Sequence, residues 1–317
     1  MRSMRIFIAG ATGVLGRRLV RDGTARGHTV VGLSRSEANA RTIESLGGIP
    51  ESADLFDVDS LANAARGCDV VIHAATRIPN RVRVRPRDWA ENDQIRRAGT
   101  QALSKATGRV GARLYLQQSV VWVAEPADES PFAEDAPFAR SLYTASAAES
   151  EGIAQDAGNQ FGFSVGLLRC GSFYAADSAQ TRLMAASAMR HRLPIIGAGT
   201  AVWANLHADD AASALLAAAE AGRGGLWHVV DDTPAPIGDF VRHLARLLGA
   251  PEPGHMPVWL ARILMGPGTL SLFTRSTRTS NERIKRDLGW APQYPSYHAG
   301  LRQIVEEWKR EGFPART

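Results

Sequence analysis

The feature that most constrains this 317-residue chain is Gly10-Ala-Thr-Gly13-Val-Leu-Gly16, set between an apolar run at 5–9 and an amphipathic run at 14–26. Glycines at that spacing permit a tight strand-to-helix turn and let a ligand approach the backbone closely. The helix behind the turn offers free N–H groups and the positive end of its dipole, a natural seat for a pyrophosphate. Glycine-rich turns are common. Between a first strand and a first helix, however, this one predicts a dinucleotide cradle built from Gly10, Thr12, Gly13, Val14, Leu15 and Gly16.

The pattern that follows supports that placement. Strands are expected at 5–9, 29–33, 49–53, 69–74, 112–118 and 163–169, and helices at 14–26, 57–66, 88–107 and 142–157. This alternation predicts an α/β fold with a doubly wound parallel Rossmann sheet. Its strands read as nearly continuous apolar runs, as they should when helices cover both faces. Beyond residue 170 the pattern loosens and proline becomes frequent. Helices are expected at 179–190, 209–221, 237–248, 281–288 and 296–311, with a short strand at 227–230. Residues 1–170 are therefore read as the nucleotide-binding domain, with 205–232 returning to it. Segments 171–204 and 233–317 are read as a smaller substrate-binding cap.

The end of the second strand bears on the choice of nucleotide. An acidic residue there would hydrogen-bond the adenosine ribose of NAD. This chain has Leu33-Ser34-Arg35-Ser36 instead. Arg35 can pair with a 2′-phosphate, and Ser34 and Ser36 can add donors, which predicts NADPH/NADP+. Asp54 and Leu55 are expected to meet the adenine. Ala74, Ala75 and Thr76, after His73, are small enough to let the backbone pass close to the cofactor.

These segments together resemble the extended and atypical short-chain dehydrogenases/reductases, in the branch of NAD-dependent epimerases and dehydratases. The resemblance rests on GATGVLG, Ala53-Asp54-Leu55, His73-Ala74-Ala75, a serine after the fifth strand and a later tyrosine. It extends to Leu206-His-Ala-Asp-Asp-Ala211 and Leu288-Gly-Trp-Ala-Pro292, and so spans nearly the whole chain. It implies a Ser–Tyr–Lys active site in which Tyr and Lys are spaced YxxxK.

Here the pattern breaks. Ser119 matches the serine and Tyr143 the tyrosine, but the lysine position holds Ala147. Only three of the 37 basic residues are lysines (Lys105, Lys285, Lys309), and none follows Tyr143 by one helical turn. The asparagine of the family's proton relay is also displaced: Arg96 stands at its expected distance from Gly99-Thr100, with Asn92 one turn earlier. A tyrosine without the lysine keeps a pKa near ~10, so at neutral pH roughly one in a thousand is ionised. Tyr143 is expected either to donate a hydrogen bond or to line the site while substrate groups handle the proton. Ser119 either contacts the carbonyl or is satisfied by local backbone.

Trp122, Phe132, Phe173, Tyr174 and Trp203 fall after strand ends or in the cap. Singly each reads as core. Together Trp122, Phe173, Tyr174 and Trp203 suggest a site for an aromatic small molecule, and the degenerate triad resembles that of ketoreductases tailoring aromatic polyketides, the angucyclinone ketoreductases in particular. The expected activity is reduction of a ketone by NADPH. A sugar-nucleotide epimerase or dehydratase, and a non-catalytic NADP sensor, are the alternatives.

Composition narrows the partners. The net charge of +5 is not gathered into a Lys/Arg tract interleaved with aromatics; the best patch, 81–87, reads equally well as a solvated loop, so no nucleic-acid partner is expected. No apolar run is long enough to span a bilayer. The N-terminal stretch lacks a signal-peptide layout, and Cys68 and Cys170 form no disulfide framework or metal set, so a cytoplasmic monomer or homodimer without metal is expected.

Overall fold

The computed structural model describes residues 3–79, 83–139 and 144–313. Strands and helices alternate from the start: β1 (Arg5–Ala9), α1 (Val14–Ala25), β2 (Thr29–Ser34), α2 (Glu37–Ser45), β3 (Ile49–Ser52), α3 (Val58–Ala64) and β4 (Val70–His73). The expected single helix over 88–107 is a composite. A 3₁₀ turn (Pro86–Trp89), α4 (Ala90–Gln94), a π-helical turn (Ile95–Gly99) and α5 (Thr100–Val110) follow end to end. Then come β5 (Leu114–Val120), α6 (Ala145–Phe161) and β6 (Ser164–Cys170).

The rest of the chain contributes β7 (Ser172–Tyr174), α7 (Ala179–Met189), β8 (Ile195–Ile196), β9 (Val202–Trp203), β10 (Asn205–His207), α8 (Ala208–Ala221) and β11 (Gly225–Val229). It ends with β12 (Ala235–Pro236), α9 (Ile237–Leu248), β13 (His255–Met256), α10 (Val258–Thr274), α11 (Glu282–Leu288) and α12 (Tyr297–Glu311). Two helices, α2 and α10, were not expected from the sequence. In α10 the backbone leaves helical geometry at Gly266 (φ 79°), just before Pro267. That break hides two short apolar helices inside what reads as a Gly/Pro loop.

Seven parallel strands form one sheet in the order β11-β6-β5-β4-β1-β2-β3. Alternation divides each strand between two cores: Ile6 and Ile8 of β1 face the α1/α8 layer, while Phe7 and Ala9 face the α3/α5/α6 layer. The sheet is thus a doubly wound Rossmann sheet, and strand β11 brings the later chain back to its edge. Beyond it, α7, α9 and α12 enclose a separate core around Tyr174, Phe240, Tyr297 and Trp308.

Two arginines of α1 tie that outer layer to the sheet. Arg17 pairs with Asp177 at 2.5 Å; the nearly buried Arg18 reaches Asp177 at 2.9 Å and Asp209 at 2.5 Å. Asp177 immediately precedes Ser178, which caps α7 by accepting the Thr181 N–H. The first turn of α7 is therefore held over the carboxyl ends of the strands.

Candidate active site

The strand order reverses between β1 and β4, and at such a switch point adjacent loops diverge and leave a crevice. A groove of about 650 Å³ opens there. One wall is the first turn, with Gly10, Thr12, Gly13, Val14 and Leu15. The loops after β2, β3 and β4 add Arg35, Asn39, Asp54, Leu55, Phe56, Ala74, Ala75, Thr76, Arg77 and Ile78. Glu91, Gln94 and Ile95 line it from α4 and the π turn, Gln118 from β5, and Phe173, Ser178, Ala179 and Gln180 from the outer layer.

The first turn has the shape of a cradle. Gly10 sits at φ 91°, and a Cβ there would lie 2.6 Å from the Ala75 amide nitrogen. A Cβ on Gly16 would lie 1.9 Å from the Gly10 carbonyl oxygen, so Gly16 faces the packed turn and does not line the groove. Gly13 caps α1 without a side-chain acceptor, which leaves first-turn N–H groups available to a ligand. These features fit an anionic dinucleotide: backbone donors, a helix terminus, and no Cβ where the phosphates would pass.

At the β2 end, Arg35 is exposed and makes no hydrogen bond or ion pair with another described residue. Ser34 and Ser36 do not line the groove. The buried Ser34 hydroxyl donates to the Ser36 carbonyl at 2.9 Å, and Ser36 accepts the Asn39 N–H to cap α2. Asn39, absent from the sequence expectations, lies beside Arg35 because α2 starts there. Asp54 accepts the Phe56 N–H at 3.0 Å, which fixes its loop.

Of the two expected catalytic residues, the structure describes Ser119 alone. Tyr143 lies outside the described residues, as do Arg81 and Val82 of the basic stretch. Ser119 is buried, and its hydroxyl donates to Glu151 at 2.5 Å. Glu151 is in turn bound by Arg169 at 2.8 Å in an ion pair buried on both sides. Gln117, two residues earlier and so on the same face, donates to Ser150 and accepts from Tyr115. Both side chains point at α6. Gln118, between them, points the other way and reaches the groove. The structure thus presents a carboxamide where a hydroxyl was expected.

The aromatic residues separate likewise. Phe173 lines the groove. Tyr174 is buried edge-on against Phe240 and His207. Trp203 packs against Phe240 and Phe273, and Trp122 donates its indole N–H to Thr277 at 2.9 Å. Ala147 is buried against Val123 and Ala124. Behind the groove, burial pushes His73 down to about 4 and Arg96 down to about 10. Asn92 accepts the Arg77 N–H at 2.9 Å, fixing the loop after β4. Burial also raises both cysteine thiols, Cys68 to about 11, so neither is a nucleophile at neutral pH. Among the described residues no His/Cys/Asp/Glu cluster could hold a metal, and no helix is long and apolar enough to cross a membrane.

With this geometry in view, the sequence profile of the NAD dependent epimerase/dehydratase family matches residues 6–229. The chain belongs to that family. Among curated members it is similar to a 3-diazoavenalumate denitrifying reductase of Streptomyces sp., with 34% identity over 309 residues covering 94% of this chain and 99% of the relative. It is also similar to a 4-hydroxy-2-methyl-3-oxo-4-farnesyl-3,4-dihydroquinoline-1-oxide ketoreductase of Stigmatella aurantiaca, 27% identical, covering 91% and 92%. Among solved structures, human epimerase family protein SDR39U1 with NADPH superposes with a TM-score of 0.81 at 21% identity, covering 96% of this chain and 99% of that one. A Thermus thermophilus UDP-glucose 4-epimerase complex with NAD gives 0.79 at 22%, covering 96% and 99%. This epimerase/dehydratase fold is an NAD(P)-binding one, and its neighbours carry either nucleotide.

Proposed function

We propose that this family member is an NADPH-dependent oxidoreductase, a ketoreductase acting on a ketone of an aromatic compound such as a polyketide. The single observation that carries the nucleotide choice is Arg35, an exposed cation on the groove wall at the end of β2 that pairs with no other described residue and stands where a ribose-binding carboxylate would be expected. The reductase names of two relatives spanning nearly the whole chain support the reaction class, and the ketoreductase name supports a carbonyl substrate.

When bound, NADPH supplies a hydride. The chain's residues do the rest. The turn from Gly10 to Leu15 at the start of α1 would hold the diphosphate, Arg35 would hold the 2′-phosphate, and Asp54 and Leu55 would border the adenine. Phe173 and the first turn of α7 also line the groove and would shield a bound carbonyl from water, which would strengthen every hydrogen bond to a growing alkoxide. As the carbonyl carbon accepts hydride, its C=O π bond breaks and the oxygen takes a proton. With Ala147 in the lysine position and Ser119 engaged by Glu151, that proton does not come through an intact Ser–Tyr–Lys relay. A phenol beside the ketone would polarise the carbonyl and supply the proton internally.

The test is cofactor turnover with aromatic ketones. NADPH consumption matched by alcohol formation is expected. Isomerisation or dehydration of a nucleotide sugar without net NADPH loss would make the chain an epimerase or dehydratase. Tight NADPH binding without turnover across a broad carbonyl panel would make it a sensor.

A further inference from the structure

The groove has two unlike ends. Arg35 follows β2, and Gln118 lies near the end of β5, three strand spacings away across β1 and β4, or about 14 Å. If the 2′-phosphate sits at Arg35, the reacting carbonyl belongs at the Gln118 end. Gln118 lines the groove from β5, Ile95 from the π turn, Phe173 from β7, and Ser178 and Gln180 from the start of α7. None of these five has a side chain that ionises in the neutral range, and Glu91, one turn before Ile95, is paired with Arg77 at 3.5 Å.

Gln118 is held for use. Its Nε2 donates to the Ser119 carbonyl at 2.6 Å, which tethers the carboxamide against its own strand. One further Nε2 hydrogen and two Oε1 lone pairs remain for a ligand. Gln117 shows the contrast: its carboxamide is buried and its hydrogen bonds run to Tyr115, Thr100 and Ser150.

We infer that Gln118 is the carbonyl-binding residue of this enzyme: its remaining amide N–H donates to the substrate oxygen and stabilises the alkoxide without transferring a proton. The inference rests on the ketoreductase reading and deepens it. A carboxamide does not ionise across the working range, so this contribution is independent of pH. It suits a substrate whose oxygen finds its proton on the substrate itself or in water. It also assigns to Gln118 the contact that the sequence suggested for Ser119.

The experiment compares Gln118→Met and Gln118→Glu with the parent for kcat, KM and NADPH Kd. Removing one preorganised donor from an oxyanion costs about 10²–10³-fold in kcat. Gln118→Met should show that loss at every pH, with NADPH Kd and the urea midpoint close to the parent's. Gln118→Glu should be as impaired at neutral pH, because its carboxylate repels the alkoxide. Its rate relative to the parent should recover as pH falls toward about 5, where a protonated carboxyl can donate. A purely structural role would give no such acid recovery. Gln118→Met within three-fold of the parent, or a loss confined to NADPH Kd, overturns the inference. Absence of any turnover in the parent defeats the ketoreductase reading alone. The inference is then decided by titrating an aromatic ketone into the NADP+ complex: weaker binding to Gln118→Met supports it, and equal binding overturns it.

Discussion

The hydroxyl of Ser119 donates to Oε1 of Glu151 across 2.5 Å, while Arg169 holds the same carboxylate from the opposite side at 2.8–3.2 Å. This arrangement joins β5, α6 and β6 beneath the groove floor. A hydrogen bond to a charged group contributes about 1.5–3 kcal/mol. Ser119→Ala should therefore lower unfolding free energy by about that amount, measured by urea denaturation, and leave kcat within a few-fold. A variant of parental stability that has lost kcat a hundred-fold would return Ser119 to the chemistry.

The placement of Ser119 shows why the fold was more legible than the site. Strand β1, the glycine turn and α1 were readable because an apolar run, three glycines and a 3.6-residue period agree with one another. Catalytic residues on a strand end depend on a period of two, so a displacement of one position turns a side chain to the other face. With Gln118 and Ser119 adjacent, residue type favoured the hydroxyl and geometry favours the amide. The aromatics divide for another reason. Phe173 and Tyr174 are neighbours of similar size, yet one faces the groove and the other the core, and apolar character does not separate those fates. Helix α10 was hidden by Gly266-Pro267, which reads as a breaker and proves to be a kink.

The glycines of the first turn should separate folding from binding. A Cβ on Gly13 would meet only the Gly10 carbonyl oxygen, at 3.3 Å, whereas one on Gly16 would fall 1.9 Å from that atom and 2.7 Å from the Ala11 backbone. Gly13→Val should fold, because its φ of −72° suits an L-residue, but its side chain should fill the cradle and abolish detectable NADPH binding. Gly16→Val should fail to fold stably. Calorimetric titration together with circular dichroism reads both outcomes. Unchanged affinity in folded Gly13→Val would show that the turn is not the cradle.

Arg35 should govern the choice between nucleotides. A charge-assisted hydrogen bond to phosphate contributes about 1.5–3 kcal/mol, roughly ten- to a hundred-fold in Kd. The parent should bind NADPH more tightly than NADH by about that ratio. Arg35→Ala should weaken NADPH to the level of NADH and leave NADH nearly unchanged. Because the pair would be exposed, the preference should also shrink with added salt. Equal affinities in the parent would remove the argument for NADPH.

Stability should peak slightly below neutrality, because buried groups pull in opposite directions. Burial pushes His73 and His207 down to about 4 and His228 down to about 3. The unfolded chain binds protons at these histidines near pH ~6.5 while the folded chain refuses them, so stability falls as pH drops below that value. Burial, with help from Asp232 and Asp210, pushes Asp231 up to about 8; burial likewise pushes Asp210 up to about 6. The folded chain keeps protons on these carboxyls that the unfolded chain has released above pH ~4. Their contribution is therefore complete in acid, and it is lost as pH rises through about 6 for Asp210 and about 8 for Asp231. Between pH 4 and 6.5 the three histidines outweigh the two aspartates, so the net slope is upward; above about 7 Asp231 dominates and the slope reverses. The urea midpoint, followed from pH 5 to 9, should rise, reach a maximum roughly between pH 6 and 7 and then decline. Asp231→Asn keeps a neutral group of the same shape and should erase the decline between pH 7 and 9 while preserving the acid limb. A parent whose midpoint stays level from pH 7 to 9 would mean that Asp231 is ionised in the folded chain, held by more than the Thr233 N–H that donates to it.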